Sequence, residues 1–422
     1  MQPLFLALVL LIAAIFCAVT IFAARFYQAK QLQLGEMYFG RGQAALAGGQ
    51  PQAAIQDFRN ALYYSHDDPN YRLRLAEALV AAGRIPEAQS YLLTLWQDEP
   101  GNSTVNLELA RLAVKQDNRQ AALRHYHGAI YGLWPDGEAA PRRLQARLEL
   151  IHYLLGLHDT SQADGELVAL TSELPRSAAA HSQVGGLFLQ TGDQERALQE
   201  FQQALRLDSR DPSAALGAGQ AAFELAQYRS AERYLDRAAR LSPRSPPAQQ
   251  LLATARLILA LDPYQHGLSS RQRARRIAQS FNYAQQRLRQ CAASQGASLQ
   301  AGLAPASESP SSSAPVTAPS APAPARPSAA GLVAKILGRV EGSPAAPPPP
   351  PPQHAVQMQQ LAQQMSQKKR DVRAYKLERD PQLADSVLQM ISQAENLAAQ
   401  QCGSPTGADL ALLLLSRQGE QR

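Results

Sequence analysis

The sequence contains few of the residues that build metal sites, disulfide frameworks and catalytic centres. Three of its 422 residues are cysteine, eight are histidine, and aromatic residues make up only 6%. It has no glycine-rich phosphate loop ending in GK[ST], no HExxH motif and no serine elbow. Three cysteines, one of them Cys17 in an apolar run, do not make a zinc framework. These absences predict a protein that is not an enzyme and that uses no metal and no cofactor.

Strand-forming patterns are also missing. No stretch alternates valine, isoleucine and threonine with polar residues, whereas alanine, the best helix former, is abundant. The hydrophobic fraction of 45% is enough for a core, so an all-α fold is expected. The net charge of +6 is compatible with an anionic membrane surface or with nucleic acid.

Residues 3–24 contain no charged residue. As a helix they would rise roughly 33 Å, enough for the hydrocarbon core of a bilayer. A cleaved signal peptide is the alternative, but it needs a charged start and small residues before the cleavage site. Phe22 or Ile21 would occupy the −3 position instead. The pattern therefore predicts a transmembrane helix and a single-pass protein of the plasma (inner) membrane.

Six segments similar to QAAIQDFRNAL recur along the chain. Their aligned alanines are separated by 34, 34, 41, 34 and 34 residues, and they are Ala54, Ala88, Ala122, Ala163, Ala197 and Ala231. Four residues after each alanine stands a large residue: Phe58, Leu92, Tyr126, Leu167, Phe201 and Leu235. Twelve residues before each stands a small one, with Ile151 as the misfit: Gly42, Ala76, Ala110, Ile151, Gly185 and Gly219.

This pattern resembles the tetratricopeptide repeat (TPR), whose 34-residue unit is a pair of antiparallel helices. The resemblance covers residues 35–262. It implies a TPR helical-hairpin solenoid of about six repeats, in which the small residues allow close helix crossings and the larger ones fill the seams. Gly83 and Gly192 are expected in the turns, where a left-handed residue ends the first helix.

The resemblance also implies a binding surface, because first helices line a concave groove in this family. Mapping the repeat onto this chain gives these groove candidates: Asn70, Leu73, Glu77, Leu107, Arg111, Lys115, His152, Ser182, Gln220 and Phe223. Some family members hold a C-terminal carboxylate with lysine and asparagine. Glu77 and several apolar residues depart from that arrangement, so an acidic C-terminal peptide is not the expected ligand. Simple exposure is the alternative interpretation for each residue.

The rest of the chain is expected to alternate between helix and linker. Residues 263–293 predict a capping amphipathic helix, and 294–354 a disordered linker rich in proline, alanine and serine, with a short apolar island at 331–340. Residues 355–418 predict a C-terminal helical segment.

Cys291 and Cys402 end two amphipathic helices in similar surroundings. If the C-terminal helices return to pack against 271–291, a disulfide could form between these cysteines, with two unpaired cysteines as the alternative. A disulfide needs an oxidising compartment and favours a periplasmic bulk. Arg25, Lys30 and Arg41 follow the predicted span and favour a cytoplasmic bulk instead. Both orientations stay open, and the extracytoplasmic one is preferred.

The function expected from these features is a membrane-anchored scaffold or adaptor of the cell envelope that binds a protein or peptide in the TPR groove. The alternative is a basic protein of the membrane surface or of nucleic acid, with the repeats as a rigid spacer. The cluster Arg271, Arg273, Arg275 and Arg276 is the feature behind that alternative. No aromatic residues interleave with these arginines, so nucleic acid is the less expected partner.

Overall fold

The structure is a computed structural model that describes residues 2–135, 137, 139–302 and 352–420. Within these ranges, the side chains of residues 2–15, 294–302, 352–355 and 419–420 are not described. The described residues form 18 helices and no strand, which confirms the predicted all-α fold. The predicted apolar island 331–340 and most of the predicted linker lie outside the described residues.

The helices divide into two compact units. Unit 1, Met1–Leu174, contains α1 Gln2–Ala47, α2 Pro51–Tyr64, α3 Pro69–Ala81, α4 Ile85–Asp98, α5 Ser103–Lys115, α6 Arg119–Tyr131, α7 Ala139–Gly156 and α8 Thr160–Thr171. Unit 2, Pro175–Arg422, begins with α9 Ala178–Thr191, α10 Gln194–Leu207, α11 Pro212–Glu224, α12 Tyr228–Leu241 and α13 Pro246–Leu261. It ends with α14 Ser270–Gly302, α15 Pro352–Lys368, α16 Ala374–Arg379, α17 Pro381–Gln401 and α18 Gly407–Glu420.

The helices up to α12 form six hairpins, which coincide with the six predicted repeats. Polar side chains at repeating positions start the first helices of three hairpins. Asp68, Asn102 and Asp211 each accept hydrogen bonds from two backbone N–H groups of the helix that follows. Such caps satisfy donors that have no partner inside the helix. The sequence therefore fixes where these helices begin.

The turn inside each hairpin has one residue in the left-handed region. Gly83 and Gly192 have φ of 76° and 92°, as predicted. The equivalent positions in other hairpins are occupied by Gly49, Asp117, His158 and Ala226, all with positive φ. Alanine at this conformation is strained, because its Cβ approaches the following carbonyl.

The predicted small and large residues meet at the helix crossings. A Cβ added to Gly42 would lie 2.6 Å from the ring of Phe58, and one added to Gly219 would lie 2.6 Å from Leu235. The six aligned alanines are fully buried. The misfit Ile151 is also fully buried, and so is Leu167, the large residue of the same hairpin.

The C-terminal helices return to the end of the repeats within unit 2. Helix α17 packs on α14, and α18 packs on α13, directly after the last hairpin. Cys291 and Cys402 are joined by a disulfide with their Cα atoms 5.6 Å apart. Helix α14 continues to Gly302, beyond the predicted boundary at 293, because no proline interrupts the chain before Pro305.

A buried charge cluster lies inside this C-terminal bundle. Glu395 of α17 is fully buried, and its carboxylate lies 3.7 Å from Arg287 of α14. Arg287 also pairs with Asp409 of α18 at 3.2 Å. Neither oxygen of Glu395 has a hydrogen-bond partner among the described residues. Burial raises the pKa of Glu395 to about 8, against the opposing effect of Arg287 and with a smaller contribution from Asp409.

The predicted single-pass membrane localisation is contradicted. Among the described residues, no helix is both long enough and apolar enough to cross a membrane. Helix α1 begins at Gln2, and the side chains of residues 2–15 are not described.

The crossing of α9 and α10 gives a first test. Replacing Ala197 with phenylalanine would force a ring into a position with no free space, so Ala197→Phe should lower the free energy of unfolding by about 1–3 kcal/mol. Denaturant titration followed by circular dichroism measures this. Gln199→Phe, on the exposed side of the same helix, is the control and should change stability little. Equal effects of both variants would show that the assigned register is wrong.

The turns give a second test. Ala226→Gly removes a strained Cβ, so we expect a gain of about 0.5–1 kcal/mol after the larger chain entropy of glycine is subtracted. Gly192→Ala at the equivalent turn should instead destabilise by about 1 kcal/mol. The pair is measured by thermal and denaturant unfolding. A loss of stability in Ala226→Gly would contradict the strain at this position.

Glu395 gives a pH test. An unfolded glutamate has a pKa of about 4.3, so between this value and the folded pKa of about 8 the native state holds a proton that the unfolded state has lost. The stabilisation that this proton gives the native state is fully present below about pH 4.3 and is lost as the pH rises through about 8. Glu395→Gln should therefore match the wild type near pH 4 and be more stable by at least ~1 kcal/mol at pH 9.

The free, exposed Cys17 should be changed to serine in both proteins, because thiolate exchange at high pH would attack the disulfide. Glu378→Gln, at an exposed position of the same bundle, is the matched control. A parallel pH dependence in wild type and Glu395→Gln would show that Glu395 ionises normally.

Candidate functional site

The candidate site is the surface formed by α3, α5 and α7, the first helices of three successive hairpins, which we call the first-helix face. A cluster of paired charges on it contains two arginines and three glutamates. Glu77 pairs with Arg74 at 2.7 Å within α3. Three carboxylates (Glu77, Glu108 and Glu149) therefore pair with two guanidinium groups (Arg74 and Arg111). The exposed Lys115 follows one turn after Arg111 on α5.

Arg111 connects two of these helices. Its Nε and one terminal nitrogen donate to the carboxylate of Glu149 on α7, at 2.9 and 2.6 Å. Its other terminal nitrogen donates to Glu108, one turn earlier on α5, at 2.6 Å. The two bonds to Glu149 form the bidentate geometry that is typical of a planar guanidinium and a carboxylate. One cation is thus shared between two acidic groups.

The carboxylates lie in partly desolvated surroundings. Burial raises the pKa of Glu108, and the neighbouring Glu77 and Glu149 act in the same direction, while Arg111 opposes them. Burial and the charge of Glu149 raise the pKa of Tyr126 to about 12. A cation that reached this surface would relieve the repulsion among the glutamates.

Asn70 and Leu73 line a cavity of about 270 Å³ at one end of the first-helix face. Leu95 and Val105 contribute apolar wall, and three acidic residues, Asp67, Asp98 and Glu99, lie around it. Asp67 is paired with Arg72 at 2.8 Å. Apolar walls beside carboxylates suit a lysine or arginine side chain, whose aliphatic stem can be buried while the head stays polar.

The other predicted residues of unit 1 differ in exposure. Lys115 and His152 are exposed, while Leu107 is buried and packs in the core formed by α5, α6 and α7. Arg74, Glu108 and Glu149 were not among the predicted residues, although each lies three positions before one that was. Residues three apart share a helix face, so this spacing is the signal that could have identified them.

In unit 2, the predicted residues lie on α9 and α11. Ser182 and Gln220 are half-buried, and Gln220 donates to Glu224 one turn later at 3.2 Å. Phe223 is buried and packs edge-on against Tyr228, with ring centroids 5.3 Å apart. Of the predicted set, the structure brings Glu77 and Arg111 into the charge cluster and Asn70 and Leu73 into the cavity.

The basic cluster on α14 is partly used inside unit 2. Arg276 donates to the backbone oxygens of Leu259 and Asp262, at 2.9 and 2.7 Å. Arg273 lies 3.5 Å from the carboxylate of Asp385. Arg271 and Arg275 remain exposed. Two arginines of the four therefore have structural partners within this bundle.

Comparison with models of protein families identifies several of the helical hairpins as repeats of a known type. One tetratricopeptide-repeat model matches residues 45–100 and 188–255, and a second matches residues 148–212. Among curated proteins, none matches the sequence.

Several solved structures are similar over about half of the chain. PilW, described as a widely conserved type IV pilus biogenesis factor, is 15% identical; the match covers 52% of this chain and 99% of PilW, with a TM-score of 0.37. YrrB, a TPR protein with an unusual peptide-binding site, is 17% identical over 46% of this chain and 95% of its own, with a TM-score of 0.35. The C-terminal part of a TPR repeat-containing protein from Cytophaga hutchinsonii is 12% identical over 57% and 92%, with a TM-score of 0.41.

The recurring period, the helical hairpins and the two matching family models lead to one conclusion: this chain contains tetratricopeptide repeats, the helical modules that generally act as protein-interaction scaffolds.

Proposed function

We propose that the protein is a non-catalytic scaffold whose first-helix face in unit 1 binds a protein segment carrying basic and apolar side chains. The observation behind this proposal is the sharing of Arg111 between Glu108 and Glu149, with Glu77 close enough to raise the pKa of Glu108.

The adjacent cavity supports the same partner chemistry. Leu73, Leu95 and Val105 offer apolar wall, and acidic residues stand at its edge. A ligand with arginine or lysine would bury its aliphatic stem there and place its charge near the carboxylates. An acidic ligand would add to the repulsion that already raises the pKa of Glu108. The basic surface-binding alternative has weaker support, since Arg273 and Arg276 have partners within their own bundle.

A pair of designed peptides tests the proposal. Both are capped ten-residue peptides with two leucines; one has two arginines, and the other has glutamates in their place. Fluorescence anisotropy with the full chain should show saturable binding of the arginine peptide, weakened by added salt, and little binding of the glutamate peptide.

Variants locate the binding surface. Glu77→Gln combined with Glu149→Gln should weaken binding of the arginine peptide by about tenfold, which corresponds to ~1.4 kcal/mol. Glu87→Gln, on the second helix α4, removes one carboxylate of the same unit outside the first-helix face and should have little effect, whereas Glu77→Gln alone should already weaken binding. Equal loss in the control would indicate non-specific attraction, and equal affinity for both peptides would exclude the acidic surface as the binding site.

A further inference from the structure

A second cavity lies in the C-terminal bundle of unit 2. It measures about 300 Å³ and is bounded by the end of α13, the loop after it, and helices α14, α17 and α18. Its walls are mainly apolar, with Leu261, Pro263, Ile391 and Leu412 buried around it. This volume is at the lower end of the range of small-molecule sites.

The inner wall of this cavity holds an unused hydrogen-bonding group. Ser280 of α14 is only 3% exposed, lines the cavity, and its hydroxyl has no hydrogen-bond partner among the described residues. Helical serines commonly bond back to a carbonyl of the preceding turn, as Ser416 does to Leu413 at 2.8 Å. Buried hydroxyls in folded proteins usually have a partner, so the Ser280 hydroxyl is available to a molecule that enters the cavity.

The charge around the cavity restricts what it can hold. Among the described lining residues, Asp385 alone is charged, and it stands at the exposed mouth, 3.5 Å from Arg273. The two charges compensate each other there, and the walls farther in carry none. A charged head placed at Ser280 would therefore be desolvated without a counter-charge, which is unfavourable.

We propose that this cavity is a binding site for a small uncharged molecule with an apolar body and one hydroxyl or carbonyl group, which hydrogen-bonds to Ser280. The apolar body packs among Leu261, Ile391 and Leu412. Helices α17 and α18 form part of the wall of the site. They are held in place by the Cys291–Cys402 disulfide and by contacts with α13 and α14.

1-Octanol is a suitable probe, with octanoate and octylammonium as charged comparators of equal chain length. Titration of the full, disulfide-bonded chain, followed by ligand-observed NMR, should show saturable binding of 1-octanol. Both charged comparators should bind at least fivefold more weakly. Tighter binding of either charged compound would overturn the assignment of an uncharged ligand.

Three variants assign the binding to this cavity. Ser280→Ala removes the hydroxyl with little change in volume and should weaken 1-octanol binding at least fivefold. Leu388→Trp, at a half-buried position of the wall, should block the cavity and abolish binding. Leu241→Trp, at a partly exposed apolar position of α12, is the control and should leave binding unchanged.

Thermal unfolding establishes that each variant is folded before binding is compared. If Leu388→Trp does not fold, the comparison of Ser280→Ala with the wild type decides. Binding unaffected by Ser280→Ala, or reduced equally by Leu241→Trp, would show that 1-octanol binds elsewhere and would refute the proposed site.

Discussion

The packing of a large side chain from one helix against a glycine or alanine of another is the interaction on which the repeats depend. Phe201 shows it most fully, because its ring contacts the positions of both Gly185 in its own hairpin and Gly217 in the next. One side chain thus determines the crossing within a hairpin and its contact with the following one. Since no hairpin can bury its apolar face alone, this contact also determines how successive hairpins stack.

Stacking by this interaction places first helices side by side and leaves their outer faces available. In unit 1 these faces carry the glutamates and arginines of α3, α5 and α7. The Arg111–Glu149 pair joins α5 to α7, although the third and fourth aligned alanines are 41 residues apart and the others 34. Core and surface residues therefore differ in role: alanine, glycine and large apolar residues hold the helices together, while the charged residues three positions apart lie on the surface that we propose contacts a partner.

Much of the repeat architecture could be predicted from the sequence, because a period of 34 residues repeats the same helix-packing problem. The buried alanines, the small–large crossings and the left-handed glycines all follow from that period. The positive φ of Ala226 was not predicted, because alanine in a sequence does not indicate a left-handed backbone as glycine does. The membrane prediction rested on counting apolar residues, and no helix among the described residues is both long and apolar enough to cross a membrane.

The charge pairs were harder to predict, since they depend on contacts between distant segments. Glu395 and Arg287 meet only because α17 packs on α14, and nothing local to either residue indicates burial. Similarly, the groove prediction included Leu107 and Phe223 by repeat position alone. Both side chains turn out to be buried, because neighbouring helices cover them. Repeat position determines the helix on which a residue lies, and packing determines its exposure.

The central claim is that the first helices of unit 1 form an acidic surface that binds basic protein segments. Hydrogen–deuterium exchange of the full chain, with and without the two-arginine peptide, tests it most directly. The account predicts slower exchange in α3, α5 and α7, with little change in α4, α6 and α8. Protection confined to the second helices, or no protection at a saturating peptide concentration, would contradict it.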